Sequence, residues 1–263
     1  ILVGLSYRDK SKYLEFGLNF LKKIAKYSLD TQGFPKSRSI RQLCFYYKYF
    51  VLIREWIKDS QNEIPEYIDE TIYNFGNAYS LVCQNLEKSI LFNGNYESDN
   101  SDFDNYLSKF GYKFKNSNHE IGGYLIQKNK KITLAMDVGS SPEKKFSKDY
   151  QSGALSFEII SNGQKLICNC GYYKKNNLKL NKISKSTATQ STLTIDDNSS
   201  CKFTNINNTW LIKRGSKILK KNYIFEKNYW KINVSHDGYL KKYNSIHERE
   251  IEFYPDQMTF KGI

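Results

Sequence analysis

The chain has 263 residues, 40% hydrophobic and 15% aromatic, which is enough for one large domain or two modest ones and too apolar for a disordered segment. Lys and Arg total 40 against 27 acidic residues, a formal charge of +13. That balance points either to a polyanionic partner (nucleic acid, an anionic membrane surface or an acidic polysaccharide) or to a compositional habit in which Lys, Asn and Ile are all abundant.

No apolar run approaches the roughly 18–20 residues of a membrane span. The opening ILVGL lacks the basic leader and small-residue cleavage site of a signal peptide, so the chain reads as a fragment or processed product that starts at Ile1. Leu14, Leu18, Leu21 and Ala25 then recur at intervals of three and four and predict an amphipathic helix over 11–28. Gly33 and Pro35 interrupt it. A second helix is predicted over 39–58 on Leu43, Tyr46, Tyr47, Phe50, Ile53 and Ile57. A third begins at Pro65, a favoured first-turn residue, and runs through Ile68, Ile72, Phe75, Tyr79, Val82 and Leu86. Residues 92–102 are a polar loop, and a short helix over 103–110 closes the region. Long helices with short links suggest an α/α bundle or toroid.

The character changes near residues 111–117. Two β-rich runs around the polar turn 128–131 predict a hairpin. ALSFEIISNGQKLICNCGYY predicts another, with Asn162-Gly163 at its turn, the strongest short-range hairpin signal. STLTIDD, TWLIKRG, YWKINVSHDGYL and EIEFYPDQMTF continue a series of short strands. With no helical stretch between them, they argue for an all-β sandwich. The 5 cysteines, Cys44, Cys83, Cys168, Cys170 and Cys201, fit no common zinc or redox signature and read as buried free thiols.

Six segments taken in order resemble the bacterial heparinase II/III-like polysaccharide lyases. GFPKSRS (33–39) is placed like that family's stretch between two toroid helices, and LFNGN (91–95) like its toroid-closing loop. SGALSFEI (152–159), LICNCGYY (166–173), STATQSTLTIDD (186–197) and SHDGY…H (235–247) follow in the family's sandwich order. The resemblance implies an α+β multidomain fold: a partial (α/α) toroid over 1–112, truncated at its N-terminal side, followed by an antiparallel β-sandwich over 113–263. It also implies β-elimination on a uronate-containing polysaccharide of heparin-like or alginate-like type, in the periplasm or cell envelope. In that reaction a neutraliser holds the carboxylate, a base takes the C5 proton and an acid protonates the leaving oxygen.

Carried over residue by residue, the family's Asn/His helix falls before residue 1. Its sandwich motif His-x-His-x-x-x-Leu-Ser reads Asp149-Tyr150-Gln151-Ser152-Gly153-Ala154-Leu155-Ser156. Its structural zinc ligands His, Asp and His become Gln151, Asn169 and Gln190. These amides are poor zinc ligands, so no metal or other cofactor is expected, and an amide hydrogen-bond cluster is expected in its place. The toroid tyrosine has its nearest counterparts in Tyr46 and Tyr47, either catalytic or core. Arg38 and Arg41 are candidates for the carboxylate, or else a solvated helix start. His236, before Asp237-Gly238, is a candidate for proton transfer or a turn residue. His247 reads as structural, and His119 at the domain junction is a candidate for substrate contact, alongside Asp149, Gln151 and Gln190. Two functions remain open: a lyase acting on an acidic polysaccharide, or a glycan-binding or structural protein of the same fold without the elimination machinery. A nucleic-acid partner is not expected, since no recognition motif or dense basic helix appears. Oligomeric state is not legible.

Overall fold

In the computed structural model, which describes every residue except Arg8, Lys10, Asn85, Glu87, residues 174–176 and Ile263, the apolar stripes of the first half become helices. They are α1 (Leu2–Ser6), α2 (Ser11–Ser28), α3 (Ile40–Asp59), α4 (Glu66–Val82) and α5 (Ser101–Lys109). Ser39 caps α3, its hydroxyl accepting from the Gln42 amide at 3.3 Å. Pro65 sits at the cap of α4, just ahead of the first turn, and Glu66 and Asp69 complement the helix dipole. Helix α4 ends at Val82 and not at Leu86. The amides of Cys83 and Gln84 both turn back onto the Tyr79 carbonyl, and Leu86 packs against the helical core from beyond the helix end. Among the described residues no helix is long and apolar enough to cross a membrane.

Antiparallel strands follow. β1 (Glu120–Ile121), β2 (Tyr124–Lys128), β3 (Ile132–Asp137), β4 (Phe157–Ser161) and β5 (Gln164–Ile167) form one meander. β6 (Lys202–Ile206) and β7 (Thr209–Arg214) are a separate hairpin. β8 (Ile218–Glu226), β9 (Tyr229–His236), β10 (His247–Tyr254) and β11 (Thr259–Gly262) form a second meander. Asn162 and Gly163 turn β4 into β5 with φ of 45° and 73°, the left-handed pair that a tight hairpin turn requires.

The alternation of side chains decides how these layers stack. On β2, Tyr124 and Ile126 join the helical core with Phe34, Ile40, Tyr47 and Phe75, while Leu125 between them faces the second sheet. On β3 and β4, Ala135 and Ile160 face the helices. Leu134, Met136 and Ile159 meet Trp230, Ile232, Val234, Ile251 and Phe253 of the second sheet. The first sheet is therefore apolar on both faces, sandwiched between helices and sheet, which explains its near-continuous hydrophobic runs.

Two expectations fail here. STLTIDD is not a strand: Asp196 and Asp197 both adopt left-handed backbone, and the Ser191 hydroxyl bonds to the Phe157 carbonyl and Asn169, so the segment crosses the sheet's end without pairing along it. The strands are also not free of helix. α6 (Leu178–Ser184) forms where Asn177 caps two amides, at 3.1 Å each, and α7 (Leu240–Tyr243) is one turn after the Gly238 corner.

Candidate functional site

Helix α3 begins at the junction with the sheets, and its first turn carries Arg41 outward to a cleft of about 610 Å³. The opposite wall comes from the β half: Lys148 and Asp149 at the end of a 3-10 turn, Tyr172 after β5, Asn181 on α6 and Trp210 on β7. Arg41 Nη2 bonds Asp149 Oδ2 at 2.8 Å in a partly exposed ion pair, and its guanidinium lies 5.8 Å from the centre of the Tyr172 ring. Tyr172 is held at both ends: its amide donates to the Asn95 carbonyl at 2.8 Å, and its hydroxyl accepts from Asn181 Nδ2 at 3.1 Å. Burial raises the Tyr172 hydroxyl above the ordinary tyrosine value, with Asp149 adding and Arg41 opposing, so it is a proton donor at neutral pH.

Beneath the ring, Lys185 is buried, its Nζ donating to the carbonyls of Lys148 at 2.6 Å and Tyr150 at 2.9 Å. Burial pushes its ammonium down to about 8, while Asp149 pulls it up. Lys182 on α6 lies 5.1 Å from the Trp210 ring centre. Two donors at the cleft, Arg41 Nε and Trp210 Nε1, are hidden from solvent and have no hydrogen-bond partner among the described residues. The arrangement offers cations, an aromatic wall, one acid and one carboxylate, which suits a polar, anionic ring system.

The two arginines of the 33–39 region and its helix diverge. Arg38, at φ 58°, points into the protein. It donates to the carbonyls of Gly122 (3.0 Å), Gly123 (2.9 Å), Gly139 (3.0 Å) and Ser140 (3.3 Å) and pairs with Asp137 at 2.6 Å. A Cβ on Gly139 would lie 2.5 Å from this guanidinium, so the glycines are what let it enter. Asn93 of the LFNGN loop completes the cluster, donating to Tyr124 at 2.7 Å and Asp137 at 2.9 Å and accepting from the Gln151 amide at 3.0 Å.

Gln151, Asn169 and Gln190 lie together as an amide cluster. Gln151 Nε2 donates to the carbonyls of Ser184 (2.7 Å) and Gly171 (2.8 Å), and Gln190 Nε2 donates to the same Ser184 carbonyl at 3.1 Å. Asn169 joins Glu158 at 3.1 Å and accepts from the Ser191 amide at 2.9 Å. The Nε2 groups of Gln151 and Gln190 are committed to backbone carbonyls, and neutral amides are poor zinc ligands, so this set does not fit the family's zinc. Among the described residues no group of three or more His, Cys, Asp or Glu is placed to hold a metal.

The remaining candidates lie away from the cleft. His236 is buried. Its Nδ1 accepts from the Gly238 amide at 2.9 Å, so its Nε2 must donate to His247 Nδ1 at 3.0 Å. Burial holds the pair down to about 4 and about 3, neutral at pH 7. His119 is exposed and lies against Phe225, with ring centres 4.6 Å apart. Tyr46 accepts from Gln42 at 2.8 Å within α3. Tyr47 is fully buried among Phe75, Tyr79 and Phe103, and burial raises its hydroxyl. Of the sequence candidates, Arg41 and Asp149 line this cleft, whereas Tyr172 and Trp210, which also line it, and Lys185 beneath the Tyr172 ring were not among them. Tyr172 lay inside a segment already singled out for its fold; nothing in the sequence marked Trp210 as facing Arg41.

The family described as Heparinase II/III-like, C-terminal, matches residues 116–263. No curated protein matches the chain. Among solved structures, a mutant of the heparan sulfate lyase HepC from Pedobacter heparinus superposes with a TM-score of 0.72 at 17% identity, over 95% of this chain and 42% of that one. A heparinase III structure superposes with a TM-score of 0.69 at 14% identity, over 94% of this chain and 42% of that one. The chain therefore spans about two fifths of the length of the solved proteins it matches.

Proposed function

Since the chain belongs to the heparinase II/III-like family, we propose that the Arg41–Tyr172–Trp210 cleft binds an acidic, uronate-containing polysaccharide and serves its cleavage by β-elimination. The observation that carries this reading is the convergence of Arg41 from α3 with Asp149, Tyr172 and Trp210 from the β half on one cleft of about 610 Å³. In this reading the helices up to residue 112 are part of an (α/α) toroid, and residues 113–263 are the sandwich domain that closes its groove.

Each group has a task. Arg41 exchanges Asp149 for the substrate carboxylate, binding it with two parallel N–H donors and drawing charge from C5 as the proton leaves. The freed Asp149 carboxylate accepts the C5 proton. Tyr172, kept protonated by burial, delivers its proton to the departing glycosidic oxygen. Trp210 stacks on a sugar ring, and Lys148 and Lys182 hold further acidic groups. No step passes through a metal: the amide cluster of Gln151, Asn169 and Gln190 takes the structural place of the family's zinc. A periplasmic or envelope setting accords with the family and with such a substrate.

Incubation of the protein with heparin-like and alginate-like polymers tests this, since elimination creates an unsaturated sugar that absorbs in the ultraviolet. Absorbance should grow with the native protein and fall about 100-fold or more in Tyr172→Phe. A second reading, glycan binding without cleavage, is favoured by one specific observation: His236 and His247 are paired with each other in the interior, and His119 does not line the cleft. Binding with no absorbance across all polymers selects it.

A further inference from the structure

Cys44 lies in the second turn of α3, and Cys83 is the C-cap of α4. The packing of the two helices brings their sulfurs to 3.4 Å, although 39 residues separate them in the chain. Both are half-buried, and both line an open cleft of about 500 Å³ with Ser98, Asp99 and Asn100, so a small reagent reaches them. The other thiols differ. Cys201 is buried beside Ser141 and Ser216, and Cys168 and Cys170 are exposed near one another in the chain.

We propose that Cys44 and Cys83 are a cross-linking site that closes to a disulfide when the protein meets an oxidant, stapling α3 to the end of α4. A disulfide at about 2.05 Å needs the sulfurs to approach by roughly 1.4 Å, a movement that side-chain rotation at a helix end supplies. The chemistry is thiol–disulfide exchange with a low-molecular-weight disulfide. One protein thiolate attacks it and releases one thiol, and the second protein thiolate then displaces the other. Two S–H bonds are lost, one S–S bond forms, and the external disulfide takes two electrons and two protons to become two thiols. The hydrogen bond to Cys44 and burial hold the Cys83 thiol up, so closure quickens as pH rises. Arg41 stands one turn upstream of Cys44, and the chain after Cys83 leads into the loop of Asn93, so the staple braces the wall that carries the cleft's arginine. This site does not depend on the polysaccharide reading.

The test treats the full chain with oxidised glutathione at pH 8.5, alkylates it, and maps tryptic peptides by mass spectrometry. A linked pair of peptides 42–48 and 59–88 is expected, with Cys44 and Cys83 protected from alkylation until reductant is added. The melting temperature should rise by roughly 5–10 °C and return with reductant. Cys44→Ser should show neither the linked peptide nor the rise. The inference is overturned if Cys44 and Cys83 are still alkylated after exhaustive oxidation, if either ends as a stable mixed disulfide with glutathione, or if the sole linkage joins Cys168 and Cys170.

Discussion

Arg38 and Arg41 sit three residues apart at the start of α3, yet one is locked into the ends of β2 and β3 and the other faces the cleft. The difference lies in the backbone: Arg38 precedes the cap in left-handed conformation, while Arg41 lies within the first helical turn. The motif was legible as a helix start, but the direction of each side chain was not, because it depends on glycines 84 to 101 residues away. Arg38→Met leaves Asp137, 1% exposed, without its countercharge. A loss of about 3–5 kcal/mol in urea unfolding is expected. The histidine pair gives a second residue-scale prediction. Unfolded histidines titrate near 6.5, whereas His236 and His247 take protons in the fold only at about 4 and about 3. Between these values the unfolded chain holds more protons, so stability is intact above pH 6.5 and declines on acidification, at about 1.4 kcal/mol per pH unit for each histidine. Urea midpoints at pH 7.5 and pH 5 should differ accordingly. Equal midpoints would show that the pair is not buried as described.

At the scale of elements, the hairpins were the most legible features, because Asn162-Gly163 and the polar turn 128–131 state their geometry locally. Helix α6 was missed because its signal is a single Asn177 cap among mixed lysines, and STLTIDD was misread because β-rich composition says nothing of whether a partner strand exists. The amide cluster shows what α6 is for: its last carbonyl, from Ser184, is the shared acceptor of Gln151 and Gln190, which laces this helix to the segment leading into β4 and to the turn after residue 187. Gln151 and Gln190 share an acceptor that the sequence did not indicate, and Asn169 bonds instead to Glu158 and the Ser191 amide. Gln151→Ala should cost about 1–3 kcal/mol by leaving the buried Gly94 amide without its acceptor and removing the amide donor of the Gly171 carbonyl. Treatment with a chelator should leave the melting temperature unchanged, and a drop of several degrees would place a metal in this network after all.

Across the whole molecule, the change from helical to alternating periodicity near residue 115 foretold helices followed by antiparallel sheets, but not that the first sheet would serve both cores. Tyr124 and Leu125, adjacent in sequence, belong to opposite layers. That shared sheet fixes α3 against the β half and so fixes the distance from Arg41 to Asp149 across the cleft. The net charge of +13 is spread along the chain, and only the fold gathers Arg41, Lys148, Lys182 and Lys185 around two aromatic rings. Titration calorimetry of native protein and Trp210→Ala with a uronate oligosaccharide tests this placement most directly. The cleft predicts measurable binding that weakens with added salt and falls at least tenfold in the variant. Native-like affinity in Trp210→Ala would contradict it.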